Sequence, residues 1–127
     1  IDDSWNAEVL SFKRALTAAP HMKKPNGRMI GVLGRIVNLG KLAPELHREL
    51  RDPIVETNFD YIVTHGPEMI YLREVLPKEN LGPHFENAQE LVEHLKTVLR
   101  DDDTILIKGS RRDSDFGTIG LILIGKQ

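Results

Sequence analysis

Three short runs each have an unbroken apolar centre, with one glycine in the first: 28–33 (RMIGVL), 60–64 (DYIVT) and 104–108 (TILIK). Such runs are too short for buried helices and too continuous for strands with one wet face. They predict strands covered on both sides. Helical patterns alternate with them. In 7–19, Val9, Phe12, Leu16 and Ala19 form a stripe that Pro20 is expected to end. A second helix is expected over 42–51, with Pro44 in its first turn, and Pro53 breaks or restarts it before Thr57. A short helix follows over 67–75, then a weak strand over 83–85. Asn87, three residues before Glu90, caps a helix whose face is Leu91, Leu95 and Val98. The alternation predicts an α/β fold: a three-layer Rossmann-like domain over residues 1–127, with a mainly parallel sheet flanked by helices. Residues 116–124 fit either a helix or a strand.

Composition removes several classes of function. Lys plus Arg number 17 against 19 Asp plus Glu, so the net charge of −2 gives no field favouring nucleic acid or a membrane surface. The absence of cysteine excludes disulfides, thiolate metal sites and cysteine nucleophiles within these residues. No unbroken apolar run exceeds the four residues of 121–124, far short of the ~20 residues of a membrane span. A cytoplasmic location is expected. The chain opens at Ile1 inside a polar motif, as a fragment of a longer protein would.

In an open parallel sheet, ligands gather beyond the carboxyl ends of the strands. Three loops are expected there: 34–40, 65–67 and 109–113. Gly109-Ser110-Arg111-Arg112 is the sharpest local signal. Glycine admits close backbone approach, serine donates a hydrogen bond, arginine presents a planar fork to a carboxylate or phosphate, and Lys108 adds charge. A solvated basic turn explains the same residues. Asp2-Asp3-Ser4 suits a helix cap or a contact to ribose hydroxyls. No dinucleotide fingerprint or phosphate-gripping GxxxxGK[ST] loop is present. No two of the five histidines lie within one helical turn, so no metal pair is visible. His65, at a strand end, is a better site candidate than His47, which sits mid-helix among charges and reads as a surface or cap-side residue.

Six stretches in order resemble a known family. IDDSWNAEVLSFKRAL resembles DDSYNANPDSM, RMIGVLGRIVNLG resembles VLGDMLELG, and PELHREL resembles EELHREV. FDYIVTHG and HFENAQELVEHLK match its next two elements, and DDTILIKGSR resembles GDVVLVKGSR. Together they resemble the C-terminal domain of the Mur ligases, in particular those that add D-alanyl-D-alanine to a UDP-muramoyl-tripeptide. The resemblance implies an ATP-dependent amide ligase of peptidoglycan precursor synthesis. The N-terminal and central domains would lie outside this chain. The substrates would be a UDP-muramoyl-peptide and an amino acid or dipeptide, with ATP and Mg2+ held mainly by the central domain. It further implies that Asp3 and Asn6 approach the nucleotide, and that Lys108, Gly109, Ser110 and Arg111 face the incoming substrate. The isolated chain is expected to be inactive.

Arg35, Asn38 and His47 are expected to border the same cleft. Arg35 stands where the family has Asp, Asn38 where it has Glu, and Glu8-Val9 where it has Asn-Pro. Those departures leave two alternatives. One is a related ligase for another acidic polymer, of the poly-γ-glutamate or cyanophycin type, with Arg35 holding the acidic substrate. The other is a non-catalytic binding module that kept the fold.

Overall fold

The run at 28–33 becomes the central strand β1, Met29–Gly34, buried at every position. The computed structural model of the chain describes residues 4–111 and 114–119, with side chains from residue 7 onward. Its elements run α1 (Ser4–Ala18), β1, α2 (Ala43–Arg48), α3 (Arg51–Thr57), β2 (Tyr61–His65), α4 (Met69–Arg73), β3 (Leu81–Phe85), α5 (Ala88–Val98) and β4 (Thr104–Lys108). Short 3-10 turns at Ala19–Met22, Gly40–Leu42 and Phe116–Thr118 complete the set. The four strands form one parallel sheet in the order β3-β2-β1-β4.

The core divides into two clusters by strand periodicity. Met29 and Leu33 of β1 face Phe12 and Leu16 of α1, Leu50, Ile54 of α3 and Leu72 of α4. Val32 and Val63 face the other way, onto Leu91, Val92 and Leu95 of α5 and onto Phe116 and Ile119. Helices on both faces make the three layers anticipated from the alternation. The expected stripe is fully realised: Val9, Phe12, Leu16 and Ala19 are all buried.

Local details differ from expectation. α1 does end at Ala18, just ahead of Pro20, but the chain then tightens into a 3-10 turn with Pro20 near its start, where no N–H is needed. Pro53 restarts rather than ends the second helical segment, lying in the first turn of α3. β3 begins two residues before Pro83; proline is tolerated there because β3 is an edge strand. Asn87 caps α5 as read, its side chain accepting from the Glu90 N–H at 3.0 Å. Residues 116–118 form the 3-10 turn; the rest of the ambiguous segment, 120–124, lies outside the described residues. No helix among the described residues is long and apolar enough to cross a membrane.

The chain steps outward from β1 to β2 and β3, then returns by α5 to β4 on the opposite side of β1. The reversal places a switch point between the carboxyl ends of β1 and β4, where open α/β sheets bind ligands. The two exits nearly touch. A Cβ on Gly109 would lie 2.6 Å from the Gly34 Cα and 2.9 Å from its C and N. Gly109→Ala therefore forces the strand ends apart. It is expected to cost about 1–3 kcal/mol, measured as a lowered urea midpoint; an unchanged midpoint would contradict the close approach.

Candidate functional site

Two hollows open at the carboxyl end of the sheet. The first, about 280 Å³, lies at the switch point between α1 and β4. Its lining comes from Ala7, Glu8, Ser11 and Phe12 of α1, from Ile36 after β1, and from Lys108, Gly109, Ser110 and Arg111. The second, about 220 Å³, is lined by Arg35, His65, Gly66, Pro67, Glu86, Ser114 and Asp115.

Ser110 joins the two strand exits. Its N–H donates to the Arg35 carbonyl at 2.8 Å, and its Oγ accepts from the Val37 N–H at 3.0 Å. Lys108 Nζ donates to Ser11 Oγ at 2.7 Å, tying β4 to α1. Arg111 is exposed on the rim. The first hollow thus carries one carboxylate, Glu8, and two cations, Lys108 and Arg111. A small anionic group fits the cationic side.

Arg35 does not turn a bare cation toward ligand. Its Nη1 donates to both Glu68 oxygens, at 3.0 and 3.3 Å. The pair is mostly buried, and the Arg35 N–H donates to the His65 carbonyl at 3.2 Å. The reversed charge is matched inside the chain. Asn38 is exposed and adopts φ +64°, a left-handed conformation that asparagine takes more readily than most residues. It lines neither hollow.

His47 also lines neither hollow. It is fully buried beneath the loop that follows β1. Its Nδ1 lies 2.6 Å from the Ala43 carbonyl, and its Nε2 accepts from the Ile36 N–H at 3.1 Å. Burial pushes the imidazole below its ordinary pKa; the Ala43 carbonyl and Glu68 oppose that, while Arg35 reinforces it. Asn6 sits in the first turn of α1, with its side chain outside the description, and Asp3 lies outside the described residues. The helix that follows Asp3 meets Ser110 across the first hollow at Ala7 and Glu8.

One pairing has no local signature in the sequence. His65, 3% exposed, bonds through Nε2 to Asp115 Oδ1 at 2.7 Å. The other oxygen of Asp115 accepts the Ala88 N–H at the start of α5, at 2.8 Å. Phe116 follows, packed against the His65 ring and over Gly34. Residues 115 and 116 therefore latch the segment after β4 onto the β1 and β2 ends. His65 was visible as a strand-end residue; Asp115 stands 50 positions away. No group of three or more His, Cys, Asp or Glu side chains converges among the described residues. They offer no magnesium cage, and no step here runs through that ion.

Burial alone would raise the Asp115 carboxyl, but the bonds from Ala88 and His65 outweigh it and hold the group below its ordinary 3.8. A depressed carboxylate contributes stability above its unfolded pKa and loses it as pH falls through the folded one. Asp115→Ala is expected to cost about 1 kcal/mol at neutral pH. The gap from the parent should narrow below about pH 3.8, read from thermal unfolding across pH; a pH-independent gap would rule out a charged latch.

The family profile described as "Mur ligase, glutamate ligase domain" matches residues 1–111. The UDP-N-acetylmuramoyl-tripeptide--D-alanyl-D-alanine ligase of Rickettsia prowazekii is 30% identical over 111 residues, which cover 87% of this chain and 24% of that protein. The Bacillus subtilis ligase of the same name is 27% identical over 114 residues, covering 87% and 25%. This chain spans about a quarter of the length of these curated relatives. Among solved structures, MurF ligase from Thermotoga maritima in complex with ADP superposes with a TM-score of 0.71 at 19% identity. That match covers 93% of this chain and 26% of the other, and it shows a shared fold.

Proposed function

The chain belongs to the Mur ligase family, matching its glutamate ligase domain over residues 1–111, and from that premise we propose that it is the substrate-closing C-terminal domain of a peptidoglycan precursor ligase. The parent enzyme would join D-alanyl-D-alanine to a UDP-muramoyl-tripeptide. The observation that carries this reading is the hollow at the switch point, where Lys108, Ser110 and Arg111 meet the second and third turns of α1. It supplies cations for a carboxylate and apolar walls, Phe12 and Ile36, for small methyl-bearing side chains.

The proposed reaction balances as an ATP-driven condensation. The γ-phosphoryl group of ATP passes to the peptide carboxylate, giving ADP and an acyl phosphate. The dipeptide amine attacks that carbonyl, the amide bond forms, phosphate leaves, and the amine gives up a proton. This chain would grip the far end of the nucleophile. Arg111 and Lys108 hold the dipeptide carboxylate, and the Ser110 hydroxyl, which accepts from Val37, keeps its own proton to donate. Holding the nucleophile in place lowers the entropic part of the barrier. The nucleotide-gripping loop, which this sequence lacks, would come from the central domain. Asp3 and Asn6 would reach toward the ribose across the hinge.

The charge-matched Arg35–Glu68 pair disfavours the version in which Arg35 grips an acidic polymer. The purified 127-residue chain is expected to hydrolyse no ATP; turnover by it alone would refute a dependent domain. In the full-length parent, Arg111→Ala should raise the KM for D-alanyl-D-alanine by about ten- to a hundredfold, the loss of one charge-assisted hydrogen bond. The KM for ATP should stay unchanged. Ligation of glutamate or aspartate in preference to the dipeptide would favour the acidic-polymer reading instead.

A further inference from the structure

Two consecutive backbone amides beyond β1, those of Ile36 and Val37, donate to side chains rather than into the sheet. Ser110 takes the second, from the wall of the hollow itself. His47 takes the first, from beneath, with no atom in the hollow. Ile36 is the residue that turns this into function, because it lines the hollow together with Lys108–Arg111.

The neighbours of His47 dictate its protonation. The Ala43 carbonyl only accepts, so Nδ1 carries the hydrogen. The Ile36 N–H only donates, so Nε2 must present its lone pair. Both conditions are met by the neutral Nδ1–H tautomer alone. A second proton would set N–H against N–H at 3.1 Å. The charged groups facing the ring from packed elements are Arg35 and Glu68, which are paired with each other; the charged residues of its own helix, Glu45 and Arg48, are exposed.

We propose that His47 is a positioning residue for the switch-point hollow: it fixes the Ile36 wall through the Ile36 N–H, and it lets that wall go when its ring is protonated. The relevance to catalysis rests on reading that hollow as the seat of the incoming substrate; the clamp itself does not. Burial depresses the ring's pKa, so release belongs below the ordinary histidine value of about 6.5.

The test is nitrogen-15 NMR on the 127-residue chain, with amide exchange expressed as protection factors. The imidazole spectrum at neutral pH should show a protonated Nδ1 and a bare Nε2. As pH falls through the His47 titration, Ile36 should lose about tenfold in protection while Val32, in the middle of β1, loses none. His47→Gln, whose amide oxygen accepts and does not titrate, should keep Ile36 protected and abolish that pH dependence. His47→Ala should lose protection at Ile36 at every pH; if it fails to fold, the parent titration and the Gln variant decide. An Nε2-protonated ring overturns the proposal, as does an Ile36 amide whose protection follows Val32 throughout. A working clamp with no D-alanyl-D-alanine-induced shifts at Lys108–Arg111 would instead sink the substrate reading and leave the clamp standing.

Discussion

The site depends on the fastening of the central strand's exit to that of its edge neighbour. Ser110 makes that fastening from both its backbone and its side chain, to Arg35 and Val37, next to Gly109, where the Gly34 backbone leaves no room for a Cβ. Without it, the lining from α1, from 36 and from 108–111 would be three separate surfaces. A hydroxyl suits the task because it accepts one bond and donates another. One atom can therefore brace the wall and still face a ligand, so its structural and proposed binding roles are compatible.

Charge at this end of the sheet is largely settled within the chain. Arg35, which the resemblance sets against an aspartate, is met by Glu68 in a forked pair. Breaking a mostly buried pair by removing one partner costs more than the pair contributes, because the remaining charge is stranded. Asn38, which the resemblance sets against a glutamate, holds a left-handed backbone position where asparagine is at home. Both substitutions thus have local structural accounts, which weakens them as signs of a decayed site. Glu8 lines the same hollow as Lys108 and Arg111.

What the sequence displayed and what it hid divide by range. Burial writes itself into local spacing, so the Val9–Phe12–Leu16–Ala19 stripe, the three apolar strands and the Asn87 cap were all readable. The three loops placed at the carboxyl ends of strands follow from a parallel sheet alone. Strand order was not readable, because a crossover leaves no local mark. Nor were Ile36–His47, Arg35–Glu68 or His65–Asp115, contacts across 11, 33 and 50 residues whose partners share no motif. His47 shows the consequence: a histidine among exposed helix charges looks peripheral until the loop above it is in place. The family resemblance singles out Lys108–Arg111, which line one hollow, but does not say that Ser110 is also a brace.

The bonds around the hollow bear on how such a half-site would work. Ile36, Val37, Ser110 and Lys108 each have a named partner inside this chain, so the wall stands before any ligand arrives. Binding to a wall already in place loses little ordering entropy. Freedom is left to the rim, where Arg111 is exposed. Discrimination between substrates then falls to a few rim charges and to the shape that Phe12 and Ile36 impose. A fixed wall also converts a small change beneath it into a change of shape above it. That is why a buried histidine with no atom in the hollow has leverage over it.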